Sequence, residues 1–261
     1  MAVQTAESTG LASAERAAPA LSVVVPVKDE AGNILPLIAE IHAALEGRLE
    51  FEIVYVDDGS RDATPSELAE ALSRYPRLRV VRHREACGQS TALRTGIKAA
   101  RAAWVATLDG DGQNDPADIP ILLGARDALG DAPRVMVAGR RMRRQDSWFR
   151  RFCSRTANGV RNRLLKDGVS DTGCSLKLFR RDLFLDMPYF HHMHRFLPAL
   201  ALREGDGVVE ILVNHRPRRT GTSKYGLNNR LWAGIVDLLG VMWLRMRTRQ
   251  PAVETVREPT R

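Results

Sequence analysis

The sequence predicts an α/β fold in which a mostly parallel, twisted sheet is flanked by helices. The alternation of apolar runs with helical stretches, and the length of the chain, lead to this prediction. Short apolar runs rich in Val and Ile alternate with stretches of helical period. Strands that alternate with helices in this way form βαβ units. The chain has 261 residues, of which 44% are apolar and 27% charged, so it is long enough for one large domain of this kind.

The first half of the chain contains four pairs of a strand and a helix. Thr64 is expected as the N-cap of the second helix, with Pro65 at its first position and Glu67 completing a capping box. The strands are predicted at 21–27, 51–56, 78–82 and 104–108, and the helices at 33–45, 64–73, 89–101 and 116–129.

The second half is less regular. Strands are predicted at 134–138, 174–179 and 207–213, a basic amphipathic helix at 147–165, a helix at 195–203 and a terminal helix at 229–247. The domain organisation follows as a disordered lead over 1–20, one folded domain over 21–228, and an amphipathic helix with a tail over 229–261.

The net charge of +8 and the pI of about 9.9 predict an anionic partner. Ten Lys or Arg residues and a single acid lie between Arg140 and Lys166. Those at 150, 151 and 155 share a helix face, which suits a lipid phosphate or an anionic membrane surface. Nucleic acid is not expected, because the chain has no nucleic-acid-binding motif and only 6% aromatic residues for stacking.

Cysteine usage and hydropathy point to a reduced compartment at a membrane surface. The three cysteines form no C-x-x-C pattern, so spacing indicates neither a disulfide framework nor a zinc site. The N-terminus does not resemble a signal peptide, and no apolar stretch reaches the roughly 18 residues that span a bilayer. Residues 231–244 are apolar apart from Asp237 and have basic flanks, as expected of an interfacial anchor or of a helix in the core or in a homo-oligomer interface.

Acidic residues follow three of the predicted strands. Asp109 and Asp111 come directly after the fourth strand and share a face, so together they can bind one divalent cation. Taken alone, Asp-Gly-Asp is also common in turns. Asp57 and Asp58 follow the second strand, and the first ends in Pro26–Glu30. No G-x-G-x-x-G or phosphate-binding P-loop motif is present, so a nucleotide would be held in another way.

Four segments, VPVKDEAGNI, VDDGSRDAT, GQSTALRTGI and LDGDGQNDP, resemble the inverting glycosyltransferases of family 2. Within that family the chain is most similar to dolichyl-phosphate mannose synthases and bacterial undecaprenyl-phosphate sugar transferases. The likeness runs from Leu21 to about Tyr225. It implies the Rossmann-like GT-A fold and a hexosyltransferase that moves a sugar from a UDP- or GDP-sugar to a polyprenyl phosphate, with Mg²⁺ or Mn²⁺ as cofactor.

The resemblance also implies roles for particular residues. It assigns nucleotide and donor binding to Pro26, Val27, Glu30, Asp57, Asp58, Asp109, Gln113, Arg219, Ser223 and Lys224, and the metal to Asp109, Asp111 and Gln113. It assigns catalysis to Asp111, Asp171 and Arg195, and the acceptor phosphate to Arg140, Arg150, Arg151 and Arg155. Near Asp171, Ser175-Leu176-Lys177 stands where the family usually has Gly-Phe-Arg.

Three functions are therefore compared. The favoured one is a transferase that acts on a lipid phosphate and lies peripherally on the cytoplasmic face of the membrane. The second is a soluble family-2 transferase whose acceptor is a polysaccharide or a small hydroxyl compound, which would need a general base and not the arginine helix. The third is a non-enzymatic scaffold that binds nucleotide sugars, which the intact Asp109, Asp111 and Gln113 set disfavours.

Overall fold

The computed structural model describes residues 18–130, 134–142, 159, 161, 163–165, 167–218 and 228–249. Its strands are β1 (Leu21–Val27), β2 (Phe51–Asp57), β3 (Leu78–Arg82), β4 (Trp104–Thr107), β5 (Val135–Arg141), β6 (Lys177–Arg180) and β7 (Gly207–Val213). Its helices are α1 (Ile34–Leu45), α2 (Thr64–Arg74), α3 (Gln89–Ala99), α4 (Ile119–Asp127), α5 (Arg181–Asp186), α6 (Leu197–Arg203) and α7 (Asn228–Met246), with 3₁₀ turns at Pro116–Asp118 and Met193–Arg195.

The seven strands form one sheet in the order β3-β2-β1-β4-β6-β5-β7. Strands β1 to β4 are mutually parallel, and β5 is parallel to β7. Strand β6 runs antiparallel to both of its neighbours, β4 and β5. The prediction of a mostly parallel sheet is thus confirmed, with one reversed strand that the periodicity did not reveal.

Helices cover both faces of the sheet because the strand residues are apolar on both sides. On one face, Val23 and Val25 pack with residues of α1, α2 and α4 in one buried cluster. On the other face, Val24 lies in a second cluster with residues of α3, α5 and α6. This three-layer arrangement leaves the ends of the strands as the places where polar side chains gather.

The predicted capping box at the start of α2 is wrong. The N-cap is Ala63, and Thr64 is already the first helical residue. The Thr64 hydroxyl accepts a hydrogen bond from the Glu30 backbone N–H at 2.8 Å, and the Glu67 carboxylate accepts from that of Gly32 at 2.8 Å. These side chains therefore bind the loop after β1 instead of capping their own helix.

Three other predicted elements differ from the structure. The helix expected over 116–129 begins as a 3₁₀ turn, because the Asp115 carboxylate accepts from the Ala117 backbone N–H. The helix over 195–203 is a 3₁₀ turn followed by α6, whose first turn contains Pro198. The strand over 174–179 starts only at Lys177, since residues 171–174 form a turn in which the Cys174 N–H bonds to the Asp171 carbonyl.

The predicted basic helix lies mostly outside the described residues. Residues 159, 161 and 163–165 are helical, whereas 143–158 are not described, and neither are the lead over 1–17 or the tail after 249. The terminal helix is confirmed as α7. Within the described part of the chain, no helix combines the length and hydropathy needed to cross a bilayer.

Candidate active site

The acidic strand ends meet at one edge of the sheet, as predicted. Strand β1 lies between β2 and β4, and the loops that follow these three strands emerge side by side. The chain passes from β1 to β2 on one side, while β4 lies on the other, so β1 is a topological switch point. Ligands of open α/β sheets bind in the crevice at such a point, outside the carboxyl ends of the strands.

The loops after β1 and β2 are fastened to each other by their own polar groups. The Asp29 backbone N–H donates to the Ser60 hydroxyl at 2.9 Å, and the Arg61 N–H donates to the Asp29 carboxylate at 2.8 Å. Asp29 adopts a left-handed conformation, with φ of 50°, to make both contacts. The floor of the crevice is therefore held in a defined shape.

Gly110 allows the loop after β4 to approach β1. A Cβ atom on this residue would lie 2.3 Å from Cγ1 of Val27, closer than any side chain can tolerate. The glycine between the two aspartates thus serves close packing, and it places both carboxylates against the end of β1. The turn chemistry and the functional interpretation of Asp-Gly-Asp are compatible in this structure.

Asp109 is held by two neutral donors. Its Oδ1 accepts from the Gln89 side-chain amide at 2.8 Å, and its Oδ2 accepts a short hydrogen bond from the Ser175 hydroxyl. Burial, followed by repulsion from Asp111, raises the pKa of Asp109. Two carboxylates that repel each other in a sparsely hydrated place form a site where a cation would be stabilised.

Asp111 forms an ion pair with Arg218, which lies in the stretch after the last strand, β7. Its Oδ2 accepts from Nη2 of Arg218 at 3.0 Å, and its Oδ1 accepts from the Gln113 backbone N–H at 3.0 Å. The same Arg218 Nη2 lies 3.5 Å from the Glu30 carboxylate. One guanidinium thus bridges the acidic loops after β1 and β4.

A cavity of about 500 Å³ opens in the crevice. Its walls carry residues from the loops after β1, β2, β3 and β4, from the start of α3 and from two more distant positions. The lining residues are Pro26, Val27, Lys28, Glu30, Asp58, Ala86, Cys87, Gly88, Gln89, Ala92, Asp109, Gly110, Asp111, His191 and Arg218. This volume lies within the range of small-molecule sites in proteins.

A smaller cavity of about 150 Å³ adjoins the first, with Gln89 and Asp109 in the wall of both. His194 and Arg195 line it from the 3₁₀ turn before α6. Burial, followed by the charge of Arg195, lowers the pKa of His194 to about 3. His194 is therefore neutral near pH 7, and its Nδ1 is hydrogen-bonded to the Ser90 hydroxyl at 2.7 Å.

Lys177 and Asp171 organise the wall of the smaller cavity. Nζ of Lys177, which is buried, donates to the backbone carbonyls of Thr172 and Cys174. Asp171 forms a two-pronged ion pair with Arg141, with both N···O distances at 2.7 Å. Lys177 binds the loop that Asp171 begins, and Arg141 joins that loop to the end of β5.

Both carboxylate oxygens of Asp58 are hydrogen-bonded to groups of the protein. Its Oδ1 contacts the Cys87 backbone N–H at 2.8 Å and Nδ1 of His83 at 2.7 Å, and its Oδ2 accepts from the Gly88 N–H at 2.8 Å. Nε2 of His83 continues the chain of contacts to the Thr95 hydroxyl at 2.9 Å. Asp58 therefore fixes the 83–88 segment that forms one wall of the larger cavity.

The structure brings together many of the predicted site residues, but not all. Pro26, Val27, Glu30, Asp58, Asp109 and Asp111 line the larger cavity, and Arg195 lines the smaller one. Asp57 lines neither of these two, because it is buried against Arg82 at 3.0 Å. Gln113 lines neither, and its side-chain amide donates to the Arg216 carbonyl at 3.5 Å.

The remaining predictions divide into two groups. Asp171 lies beside the smaller cavity in its ion pair with Arg141, whereas Arg140 is exposed at the end of β5. Six residues fall outside the described part of the chain: Arg150, Arg151, Arg155, Arg219, Ser223 and Lys224. Two nearby histidines have different partners: Nδ1 of His192 lies 3.1 Å from the Asp237 carboxylate, and Nδ1 of His194 lies 2.7 Å from the Ser90 hydroxyl.

Four residues of the site were missed as site residues from the sequence: Gln89, Arg141, Ser175 and Arg218. Gln89 begins a helix directly after Gly88, and a polar residue at that position was a usable signal. Arg218 lies in the stretch after β7, and Arg141 follows Arg140 at the end of β5. Neighbouring side chains of a strand alternate in direction, so the sequence does not indicate which of Arg140 and Arg141 meets Asp171.

The sheet order and the switch-point crevice match the GT-A fold. The chain belongs to glycosyl transferase family 2, whose family model matches residues 22–187. A solved structure with a similar fold is glucosyl-3-phosphoglycerate synthase from Mycobacterium tuberculosis in complex with Mn²⁺, UDP and glucosyl-3-phosphoglycerate. Its TM-score is 0.65 at 18% identity, over 89% of this chain and 81% of that one.

Two curated relatives are considerably more similar in sequence. Dodecaprenyl-phosphate galacturonate synthase of Rhizobium johnstonii is 35% identical over 236 residues, covering 88% of this chain and 69% of the relative. Undecaprenyl-phosphate 4-deoxy-4-formamido-L-arabinose transferase of Edwardsiella ictaluri is 39% identical over 210 residues, covering 79% of this chain and 63% of the relative. The chain thus spans about two thirds of the length of these relatives.

Proposed function

We propose that this protein transfers a sugar from a nucleoside diphosphate donor to a polyprenyl phosphate, with inversion at the anomeric carbon. The observation that carries the proposal is the placement of Asp109 and Asp111 at the switch-point crevice, in the wall of a cavity of about 500 Å³. Membership of family 2 supports the transfer of a sugar. The two curated relatives, both named for polyprenyl-phosphate substrates, support the acceptor.

The donor's nucleotide is assigned to the larger cavity, and its sugar to the smaller one. The two cavities share Asp109, so the diphosphate that joins nucleotide and sugar would lie beside this residue. Gln89, which also borders both cavities, is a neutral donor for the sugar or for the diphosphate. Arg219, Ser223 and Lys224 follow Arg218 in sequence and are proposed to bind the diphosphate.

The two carboxylates that follow β4 suit a magnesium or manganese ion. Asp109 and Asp111 supply the carboxylate oxygens that such hard cations prefer, and burial, followed by repulsion from Asp111, raises the pKa of Asp109. Asp111 already attracts one cation, the Arg218 guanidinium. When bound, the metal supplies charge stabilisation for the departing diphosphate. Gln113 completes the proposed set, from the same loop.

A phosphate monoester is an acceptor that needs little help from a general base. Its second pKa is about 6, so the attacking oxygen is already ionised near neutral pH. That oxygen forms a bond to the anomeric carbon while the bond from this carbon to the diphosphate oxygen breaks, and the electron pair leaves with the nucleoside diphosphate. Proton transfer is not required, and positioning together with electrostatics accounts for the rate.

The acceptor phosphate is assigned to the basic segment that leaves β5, through Arg140, Arg150, Arg151 and Arg155. Arg195, proposed to act in catalysis, lines the smaller cavity. Arg141 holds Asp171 at the same end of β5, so Asp171 is proposed to act near the reacting sugar as a fixed anion. An oxocarbenium-like transition state is positive at the sugar ring, and a fixed carboxylate stabilises it.

The lipid acceptor requires access to a membrane, and α7 offers an amphipathic surface for it. Val236, Leu239 and Trp243 are 65%, 57% and 55% exposed, respectively, whereas Val241 is fully buried against the domain. Arg245 and Arg247 follow at the end of the helix. We propose that this face lies on the cytoplasmic leaflet, whose anionic lipids attract the arginines.

The experiment that tests this function is a product assay with purified protein. The full chain is incubated with Mg²⁺ or Mn²⁺, a panel of UDP- and GDP-sugars, and either undecaprenyl phosphate in detergent or a soluble hydroxyl acceptor. We expect a lipid-linked sugar with at least one donor and loss of the product on removal of the metal with EDTA. Transfer to the hydroxyl acceptor, without lipid product from any donor, would favour the soluble transferase and contradict the proposal.

A further inference from the structure

We propose that Asp58, His83 and Cys87 form a second metal site, which binds a soft divalent cation such as Zn²⁺ on the wall of the larger cavity. This site is separate from the one assigned to Asp109 and Asp111. The metal site does not depend on the proposed function, but its expected effect on donor binding rests on it. The cation would occupy part of the space assigned to the nucleotide and so inhibit the enzyme.

The three side chains are close enough to share one ion. One oxygen, one nitrogen and one sulfur atom of the set all lie within 4.8 Å of one another. Zinc bonds of about 2.0–2.3 Å in tetrahedral geometry separate ligand atoms by about 3.5 Å, so small side-chain rotations suffice. Nδ1 of His83 and Oδ1 of Asp58 are already 2.7 Å apart and would move outward to admit the ion.

The types of ligand atom distinguish this site from the one assigned to Asp109 and Asp111. A thiolate and an imidazole select zinc and similar borderline cations, whereas magnesium and manganese prefer carboxylate, carbonyl and water oxygens. Cys87 is exposed, so a fourth position on the ion would face the cavity. Three protein ligands with one open position are the arrangement of zinc ions that remain accessible to exogenous molecules.

Surrounding contacts already orient the proposed ligands. The Thr95 hydroxyl lies 2.9 Å from Nε2 of His83, and the Gly88 backbone N–H donates to Oδ2 of Asp58 at 2.8 Å. Groups that hold the far side of a ligand in this way strengthen metal binding. On binding, the thiol proton of Cys87 is released to water. In the metal-free protein Nδ1–H donates to Oδ1 of Asp58. In the metal-bound state the neutral imidazole would carry its proton on Nε2 and donate it to the Thr95 hydroxyl, so that Nδ1 gives up its hydrogen bond to Asp58 and binds the ion.

An ion at this site would lie in the wall of the cavity assigned to the nucleotide. Asp58 and Cys87 line the larger cavity together with Glu30 and Asp111. An ion with a solvent ligand at Cys87 would reduce the room for the nucleotide and add positive charge away from the diphosphate. Zn²⁺ is therefore expected to act as an inhibitor that competes with the donor. Excess Mg²⁺ is expected to leave that inhibition in place, because it does not compete for the thiolate.

The site is tested with Co²⁺ as a spectroscopic probe of metal-free, full-length protein in the absence of substrates. We expect a thiolate-to-cobalt charge-transfer band in the near ultraviolet. Substitution Cys87→Ser should abolish the band, and His83→Gln should weaken cobalt binding about tenfold or more. The matched control Cys153→Ser should keep the band and the cobalt affinity of the wild type. Absence of the band in the wild type, or an unchanged band in Cys87→Ser, would overturn the proposal.

A second measurement uses the unaltered protein, so that it is independent of the folding of any variant. Alkylation of Cys87 by iodoacetamide is followed by mass spectrometry with and without Zn²⁺. Protection by Zn²⁺, but not by Mg²⁺, supports the site, and equal labelling overturns it.

In turnover assays, Zn²⁺ inhibition that rising donor concentration relieves supports competition. Inhibition that is equally strong in Cys87→Ser contradicts it. Both binding measurements remain valid if the proposed transfer reaction is not found.

Discussion

Arg218 Nη2 lies 3.0 Å from the Asp111 carboxylate and 3.5 Å from that of Glu30, so one guanidinium neutralises acids from two neighbouring strand ends. This contact connects the segment after β7 to the loops after β1 and β4. It also places a positive charge beside the carboxylate proposed to bind the metal. Arg218 and a divalent cation therefore compete for Asp111.

The competition can be measured with Arg218→Ala. Removal of the guanidinium should strengthen Mn²⁺ binding to the donor-free protein several-fold, because Asp111 then lacks its counter-charge. The same variant should lose at least about tenfold in turnover, since a cation near the leaving diphosphate is missing. Mn²⁺ binding is followed by electron paramagnetic resonance, with Arg48→Ala as a control at an exposed arginine in the turn after α1. Weaker Mn²⁺ binding in Arg218→Ala would contradict the competition.

His194 predicts how stability depends on pH. Its pKa in the folded state, about 3, lies below the value near 6.5 of an unfolded chain, chiefly because the imidazole is buried. Only the unfolded state gains a proton as the pH falls below 6.5, so stability that is present above this pH is lost progressively toward pH 3. At pH 5 the loss should reach about 1–2 kcal/mol.

The measurement is urea unfolding of wild type and His194→Asn between pH 7.5 and pH 5. Asn offers a donor and an acceptor near the position of Nδ1, where Ser90 binds, and it does not titrate. The free energy of unfolding should fall more steeply in the wild type than in the variant below pH 6.5. The two curves should run parallel above pH 7. Equal slopes below pH 6.5 would show that His194 is not held neutral.

The exposed face of α7 should bind anionic membranes. Substitution of Leu239 and Trp243 together by Glu places two charges on this face, and we expect vesicle binding to weaken at least about tenfold, because apolar burial is lost and anionic lipids repel the new charges. Co-sedimentation with phosphatidylglycerol vesicles measures the effect. Leu72→Glu on α2 is the control, since Leu72 is 46% exposed on a different helix. Equal binding by both variants would remove α7 as the membrane contact.

The arginine segment should serve the acceptor more than the donor. Replacement of Arg150 and Arg151 together by Ala should raise the KM for the polyprenyl phosphate at least about tenfold while the donor KM changes about twofold or less. Initial rates with each substrate varied in turn give both constants. Arg48→Ala combined with Arg74→Ala is the control for a loss of two positive charges elsewhere. Equal increases in the two KM values would contradict the assignment.

Much of the fold is predictable from the sequence because both faces of the parallel strands are buried. Such strands appear as continuous apolar runs, and residues 21–27 form a clear example in which all seven are buried. The carboxyl ends of parallel strands share an edge, so the meeting of the acids after β1, β2 and β4 also follows from the pattern. Strand β6 was expected, but its antiparallel direction depends on which neighbours it joins, and local periodicity carries no information on that.

The contacts of the site were less predictable because they join distant parts of the chain. Asp58 follows a strand in the same way as Asp109, yet it is engaged by a segment 25 to 30 residues further along. Thr64 and Glu67 match a capping box, and the choice between their own helix and the β1 loop depends on tertiary packing. Arg141, not Arg140, meets Asp171 because successive side chains of β5 point to opposite faces, and Arg140 is exposed.

Asp111→Asn tests the central claim most directly, in the assay for lipid-linked sugar with Mg²⁺ or Mn²⁺. The variant keeps the size of the side chain but removes the charge that would bind the metal. We expect turnover to fall by at least about a hundredfold while the melting temperature stays close to that of wild type, and Asp127→Asn, at an exposed aspartate of α4, to retain full activity. Wild-type rates of metal-dependent transfer by Asp111→Asn would contradict the assignment of this edge as the metal and diphosphate site.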